Sequence, residues 1–128
     1  MNRRIVSTES APKAVGPYSQ AIVAGDIVFT AGQIGLDPST GRLVEGGFAA
    51  QLARVITNLE AVLAAESLTL ADVVKTTVFV TDLKDGPVLN QMYGDRFPSP
   101  YPARSTVQVS DLPAGALVEI EAVAVRSR

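Results

Sequence analysis

Residues 117–125 read LVEIEAVAV, and this predicted strand carries apolar residues on both of its sides. Alternation along a strand places Val118, Ile120, Ala122 and Ala124 on one face of the sheet, and Leu117, Glu119, Glu121, Val123 and Val125 on the other. A sheet face that meets water is mostly polar, so this pattern predicts a sheet that is covered on both faces.

An amphipathic helix is predicted earlier in the chain, over residues 48–65. Its apolar residues recur at spacings of three and four, the period of one helix face: Phe48, Leu52, Val55, Ile56, Leu59, Val62 and Leu63. Gln51, Arg54 and Asn58 fall on the opposite side of this helix. A second helix is predicted after Asp85, which can cap it with Pro87 in the first turn, and Pro98 ends it.

The other periodic segments are typical of strands. They lie near Ile5, in two runs within residues 19–34 that meet at a Gly25-Asp26 turn, and over residues 71–83, 103–109 and 117–125. Two helices are too few to cover both faces of a sheet with five or six strands, so we expect both helices on one face. The predicted fold is a two-layer α+β domain spanning residues 1–128.

The sheet face away from the helices then needs a second cover. Self-association of the chain through this face is the simplest interpretation, because it buries the apolar residues without further elements. The alternative is that the turn-rich loop at residues 35–47 folds over the face.

Composition excludes several classes of function. The 11 basic and 13 acidic residues give a net charge of −2, without the concentrated basic surface that captures nucleic acid. The chain has no histidine and no cysteine, which excludes an imidazole base, a thiolate nucleophile and metal sites built on either. No apolar run approaches the ~20 residues of a membrane span, and the start is not a secretory signal, so a cytoplasmic protein is expected.

The stretch PYPARSTVQV, at residues 100–109, contains the candidate site residue Arg104. Alternation puts Arg104 and Thr106 on one face and Val107 on the other, where a valine suits packing against the helices. If this strand and the last one form a hairpin, Arg104 and Glu119 share a surface. They would then form either a cross-strand ion pair worth ~0.2–1 kcal/mol, or a site in which the guanidinium binds a substrate carboxylate and the glutamate activates water.

Three further residues are candidates with an ordinary structural alternative. Tyr18 in GPYSQA could present its hydroxyl to a pocket or pack in the core. Gly32 in TAGQI stands at a strand end, where glycine often marks the close approach of a ligand or another chain. Lys75 could form a Schiff base, although a solvated or paired lysine is the ordinary condition in mid-strand.

Five stretches of the chain together resemble the reactive-intermediate deaminase family, also called RidA or YjgF. In chain order they are GPYSQA, AGQI, VVKTTVFVTDL, PARSTVQV and VEIEAVAV. The resemblance extends from about Ile5 to Arg126. It implies a mixed β-sheet similar to that of chorismate mutase, and a homotrimer whose open sheet faces form a central barrel. It also implies clefts between subunits that hydrolyse 2-imino acids, released by pyridoxal-phosphate dehydratases, to 2-oxo acids and ammonia, with no metal and no cofactor.

Matched by motif, the resemblance assigns a role to individual residues. Arg104 would bind the carboxylate of the imino acid, Glu119 would position the attacking water, and Tyr18 would close the pocket from the neighbouring subunit. Gly32 and Thr106 would offer backbone groups to the imine nitrogen and the carboxylate.

The chain also departs from the family pattern. Ala31, at the predicted substrate site, stands where the family often has a serine, and Thr106 stands where it often has a cysteine. Asn90, in contrast, resembles a polar residue that the family has near the pocket. The missing hydroxyl at Ala31 leaves open a non-catalytic trimer that binds 2-oxo acids or has a regulatory or chaperone-like role. A ribonuclease activity is disfavoured, because the chain lacks a histidine pair, a basic patch and an aromatic stacking platform.

Overall fold

The computed structural model describes residues 2–127, so Met1 and Arg128, at the ends of the predicted domain, lie outside the described residues. The strands are β1 (Arg3–Val6), β2 (Ala21–Ala24), β3 (Ile27–Thr30), β4 (Leu36–Asp37), β5 (Arg42–Leu43), β6 (Val73–Val80), β7 (Ala103–Gln108) and β8 (Val118–Val125). The helices are α1 (Gly47–Ala64) and α2 (Gly86–Arg96). Gly25, in the predicted hairpin turn between β2 and β3, has a left-handed φ of 62°.

Six strands form one mixed sheet in the order β1-β2-β3-β8-β6-β7, with α1 and α2 on one face. The β6 and β7 strands are parallel because α2 connects them as a crossover, whereas the other neighbours in this sheet are antiparallel. The predicted two-layer α+β fold is confirmed. The predicted hairpin of the last two strands is wrong, because β6 lies between β7 and β8.

The core lies between α1 and the sheet. The apolar stripe of α1 is fully buried at Leu52, Val55, Ile56, Leu59, Val62 and Leu63, and faces buried strand residues such as Val78 and Ile120. Each such side chain contributes about 1.5–3 kcal/mol by leaving water. The predicted helix is therefore confirmed within one residue at each end. Within residues 2–127, no helix is both long and apolar enough to cross a membrane.

Two polar residues of α1 lie in the interior, which the helical period did not predict. Asn58 has no exposed surface and Gln51 is 7% exposed, whereas Arg54 remains partly exposed. Both amides are buried because they hydrogen-bond to backbone groups outside the helix, which offsets the loss of water.

The α2 helix begins at Gly86 with Pro87 in its first turn, and Asp85 holds the N-cap position without a side-chain hydrogen bond to the helix. The predicted capping contact of Asp85 is therefore absent. Tyr93 and Phe97, at the end of α2, stack with ring centroids 4.1 Å apart.

The sheet face opposite the helices, called the open face, is apolar and exposed. Ile5, Ile27, Phe29, Val107 and Val125 lie on it, and Phe29 exposes 47% of its surface. The loop at residues 35–47 forms the β4–β5 hairpin and packs against α1, so it does not cover this face.

Candidate functional site

Arg104 and Thr106 lie on the helix side of the sheet, at its edge. In the β6–β7 register, Arg104 pairs with Thr76 and Thr106 pairs with Val78, and both β6 residues are buried beneath the helices. Val107 lies on the open face instead. The predicted facing of β7 is therefore wrong, because the apolar open face attracts the valine and the rim beside α2 leaves room for a polar side chain.

Asn90 and Tyr93 of α2 hold the Arg104 guanidinium. An Arg104 Nη2 hydrogen donates to Asn90 Oδ1 at 2.6 Å, and Arg104 Cζ lies 4.9 Å from the centre of the Tyr93 ring. The Tyr93 hydroxyl in turn hydrogen-bonds the buried Thr76 Oγ1 at 2.7 Å. Burial raises the pKa of Tyr93, so the ring stays neutral and presents its face to the cation.

These residues line a cleft of 320 Å³, which we call the arginine cleft. Its lining residues are Asn90, Tyr93, Gly94, Tyr101, Pro102 and Arg104. None of the ion pairs within residues 2–127 involves Arg104. A guanidinium has five N–H donors, so Arg104 can bind Asn90 and still form a bidentate pair with a small carboxylate.

Glu119 lies in a second cleft of 240 Å³, which we call the glutamate cleft. Its carboxylate fills the space where a side chain at residue 32 would stand: a Cβ on Gly32 would be 2.7 Å from Glu119 Cδ and 2.8 Å from Oε2. Burial, and secondarily the charge of Glu121, raise the pKa of Glu119. This carboxylate therefore binds a proton more readily than an exposed glutamate, as suits a proton acceptor near neutral pH.

Tyr18 and Gly32 line the glutamate cleft together with Glu119 of the same chain. Tyr18 is half-exposed and its hydroxyl accepts a hydrogen bond from the backbone N–H of Val15 at 3.2 Å. Ala31 lies at the edge of this region, and its backbone N–H donates to the Gln20 carbonyl at 2.9 Å.

The two remaining candidates are Thr106 in β7 and Lys75 in β6. The hydroxyl of Thr106 is buried, and no hydrogen-bond partner for it exists among residues 2–127. The Lys75 ammonium donates to Ser105 Oγ at 2.9 Å, which matches the paired lysine considered above.

The two clefts are separate in one chain. Arg104 pairs with Thr76 of β6 on the helix side, whereas Glu119 pairs with Phe79 of β6 on the open face. The β6 strand therefore separates the strands that carry Arg104 and Glu119. Strand spacing and rise put their Cα atoms roughly 14 Å apart. The predicted shared surface of Arg104 and Glu119 within one chain is therefore wrong.

The aromatic residues of the arginine cleft were missed as site residues. Tyr93 and Tyr101 lie outside the motifs that identified the candidate residues. A signal was present in the sequence, since Tyr93 follows Asn90 by three residues and therefore shares its helix face.

The fold and the two clefts define an α+β protein with an exposed guanidinium in one cleft and a partly buried glutamate in the other. The chain belongs to the Endoribonuclease L-PSP family, also known as the YjgF/RidA family, whose model matches residues 8–126. This confirms the family resemblance read from the motifs.

Three relatives illustrate the range of the family. Protein DfrA of Myxococcus xanthus is 51% identical over 127 residues, covering 98% of this chain and 97% of its own. The human 2-iminobutanoate/2-iminopropanoate deaminase is 44% identical over 124 residues, covering 97% of this chain and 90% of its own. The crystal structure of Escherichia coli TdcF with bound serine superposes with a TM-score of 0.91 at 42% identity, covering 97% and 99% of the two chains.

Proposed function

We propose that the protein hydrolyses 2-imino acids, such as 2-iminobutanoate and 2-iminopropanoate, to 2-oxo acids and ammonia without a cofactor. The observation that carries this proposal is the arginine cleft, in which a guanidinium held by Asn90 and Tyr93 faces open space without an acidic partner among the described residues. The human relative is named for this reaction, and the TdcF structure contains serine, a small molecule with a carboxylate.

The proposed active site is shared between copies of the chain. The open face would be buried in a homotrimer, since Phe29, Val107 and their apolar neighbours expose a wide surface to water in one copy. In this assembly the arginine cleft of one copy would meet the glutamate cleft of its neighbour. Arg104 and Glu119, which are too far apart in one chain, would then act on one substrate.

The proposed chemistry needs no covalent intermediate with the protein. Arg104 binds the substrate carboxylate, and the protonated C=N bond is electrophilic enough for attack by water. Glu119 accepts a proton from the water as the C–O bond forms, and returns it to nitrogen in the tetrahedral carbinolamine. The hydroxyl group then gives its proton to Glu119 as the C–N bond breaks, which releases the 2-oxo acid and ammonia. Positioning is the main contribution of the protein.

The raised pKa of Glu119 gives the proposal a pH dependence. The carboxylate must be ionised to accept a proton, so activity should rise with pH through a value above the ordinary glutamate pKa of about 4.3. The proposed substrates are those that pyridoxal-phosphate dehydratases release, and we propose that the protein acts beside such enzymes in the cytoplasm.

The proposal is tested by adding purified protein to 2-iminobutanoate generated by a threonine dehydratase and measuring the decay of the imine. Arg104→Ala should lower kcat/KM by roughly a hundredfold, the loss of a charge-assisted pair worth ~3 kcal/mol. Arg104→Lys should recover only part of it, because an ammonium cannot form the bidentate pair. Arg42→Ala, at an exposed arginine of β5, is the matched control and should keep full activity. Equal activity in Arg104→Ala and wild type would overturn the assignment.

A second candidate function is binding of a 2-oxo acid without turnover. It is favoured by the separation of the clefts in one chain, because the arginine cleft alone provides the groups that bind a carboxylate. Saturable binding of 2-oxobutanoate that Arg104→Ala abolishes, in protein that does not accelerate imine decay, would favour this candidate over hydrolysis.

A further inference from the structure

The buried amide of Asn58 connects α1 to the segment that carries Gly32. Asn58 Nδ2 donates to the backbone carbonyls of Ile34 at 3.1 Å and Leu36 at 3.0 Å. Its Oδ1 accepts a hydrogen bond from Arg54 Nε at 2.9 Å. Both hydrogens and the oxygen of this amide are therefore occupied, which fixes its orientation.

The segment held by Asn58 reaches Glu119 through Gln33. Gln33 and Ile120 exchange two backbone hydrogen bonds, of 2.9 and 3.1 Å. The bridge is antiparallel, so Gly32 lies diagonally across from Glu119, and the bridge sets the close approach of Gly32 to the Glu119 carboxylate. A displacement of the segment would change the space around the carboxylate directly.

Gln51 makes the corresponding contact on the other side of Glu119. Its Oε1 accepts a hydrogen bond from the backbone N–H of Leu117, two residues before Glu119, at 2.8 Å. Gly35 packs against the backbone of Gln51, so closely that a Cβ on Gly35 would be 2.9 Å from Gln51 Cα. One helix thus contacts both backbone segments that border the carboxylate.

We infer that Gln51 and Asn58, together called the α1 brace, are positioning residues that set the Glu119 carboxylate against Gly32 for attack by water. The inference rests on the proposed hydrolysis for its kinetic consequence, but its geometric part stands independently. The brace acts through backbone segments and does not touch the arginine cleft, so it should influence the attacking water and leave the grip on the substrate carboxylate unchanged.

The test uses substitutions that keep side-chain volume and remove the amide: Asn58→Leu and Gln51→Met. Val62→Ala is the matched control, because Val62 is fully buried on the same helix and its truncation destabilises the core, whereas a valine side chain makes no hydrogen bond to either segment. We expect kcat for imine hydrolysis to fall about tenfold in both brace variants, with KM changed less than about threefold. Val62→Ala should lower Tm and keep kcat. Wild-type kcat in both brace variants would overturn the inference.

A second measurement needs no activity and separates the inference from the proposed function. The carboxyl carbon of Glu119, assigned by its absence in Glu119→Gln, is followed by NMR through a pH titration. Among residues 2–127, Glu121, Lys13 and Tyr18 are the other ionisable groups around this cleft, and all are retained in each variant. Loosening the segment should hydrate Glu119, so its pKa should fall towards the ordinary value in Asn58→Leu and stay unchanged in Val62→Ala.

The outcomes are distinct. If the pKa of Glu119 falls in Asn58→Leu but the protein does not hydrolyse imines, the result would support the brace and refute the deaminase. An active wild type in which neither brace variant moves the titration or kcat would refute the brace alone. If Asn58→Leu does not fold, Gln51→Met decides by the same two readouts, since it removes one hydrogen bond at the start of β8.

Discussion

At the scale of single residues, Gly32 controls the space in which the Glu119 carboxylate stands. Glu119 lies in β8 and Gly32 in the segment after β3, and the two meet because Gln33 bridges to Ile120. A methyl group at residue 32 would overlap the end of a flexible side chain and not the backbone, so the carboxylate would move and the fold would persist.

We therefore expect Gly32→Ala to lower kcat for imine hydrolysis by at least about tenfold, or ~1.4 kcal/mol, with little change in Tm. The control is Gly86→Ala, since a Cβ at Gly86 meets no atom within 4 Å. Steady-state kinetics and a thermal melt of both variants check this. Full activity in Gly32→Ala would show that the position of the Glu119 carboxylate is unimportant.

The residue scale also shows what a motif can and cannot indicate. The motifs selected Arg104, Asn90, Tyr18, Gly32 and Glu119, and the structure places each of them in one of the two clefts. Their catalytic roles stay predictions. The orientation of Arg104 could not be read from its strand, because alternation defines two faces without identifying the one that the helices cover.

At the scale of elements, Glu66 in the loop after α1 connects the edge strand β1 to the end of the interior strand β8. It accepts two hydrogen bonds of 2.6 Å from Arg4 in β1, and one from Arg126, just after β8, at 3.3 Å. The Glu66 side chain is 9% exposed, and the hydrogen bonds from Arg4 hold the pKa of its carboxyl below the ordinary value.

A lowered pKa in the folded state means that the ionised carboxylate stabilises the fold above its ordinary pKa. That stabilisation is lost as the pH falls through the lowered value. Glu66→Gln should therefore lower Tm by a few degrees at pH 7, and the difference from wild type should vanish in strong acid.

The matched control is Glu60→Gln, which removes an ion pair with Arg96 in which the glutamate is more exposed than Glu66. Its Tm change at pH 7 should be smaller than that of Glu66→Gln. Thermal melts of both variants from pH 7 to strong acid provide the comparison. A Tm difference for Glu66→Gln that persists unchanged in acid would refute the electrostatic explanation.

The helices were predictable because their determinants are local. The apolar period of α1 and the proline that follows α2 define each element within a residue or two. The pairing of β7 with β6 was not predictable from such patterns, since it depends on where the α2 crossover returns the chain.

At the scale of the whole molecule, the separation of the two clefts gives the proposed assembly a direct test. Arg104→Ala and Glu119→Gln each remove one half of the proposed shared site. In a mixed trimer, the intact Arg104 of one subunit can meet the intact Glu119 of another.

We expect co-expression of the two inactive variants to restore activity, to about a quarter of wild type for random assembly. The control is co-expression of Arg104→Ala with the double variant Arg104→Ala/Glu119→Gln, because no subunit of that mixture has an intact Arg104 and no complete site can form. Light scattering would establish the assembly, and Phe29→Asp on the open face should dissociate it, whereas Val88→Asp on α2 should not. Absence of rescue in mixed assemblies would indicate that the shared site is wrong.

The two-layer fold, the family and the candidate residues could be predicted from the sequence, because periodicity, turn residues and motifs are local properties of the chain. The three-dimensional structure was needed to show that Arg104 lies on the helix side, that Glu119 lies beside Gly32, and that Gln51 and Asn58 are buried. These facts depend on strand order and on hydrogen bonds between residues distant in sequence. A polar residue on a helix is buried only when such a partner comes within reach.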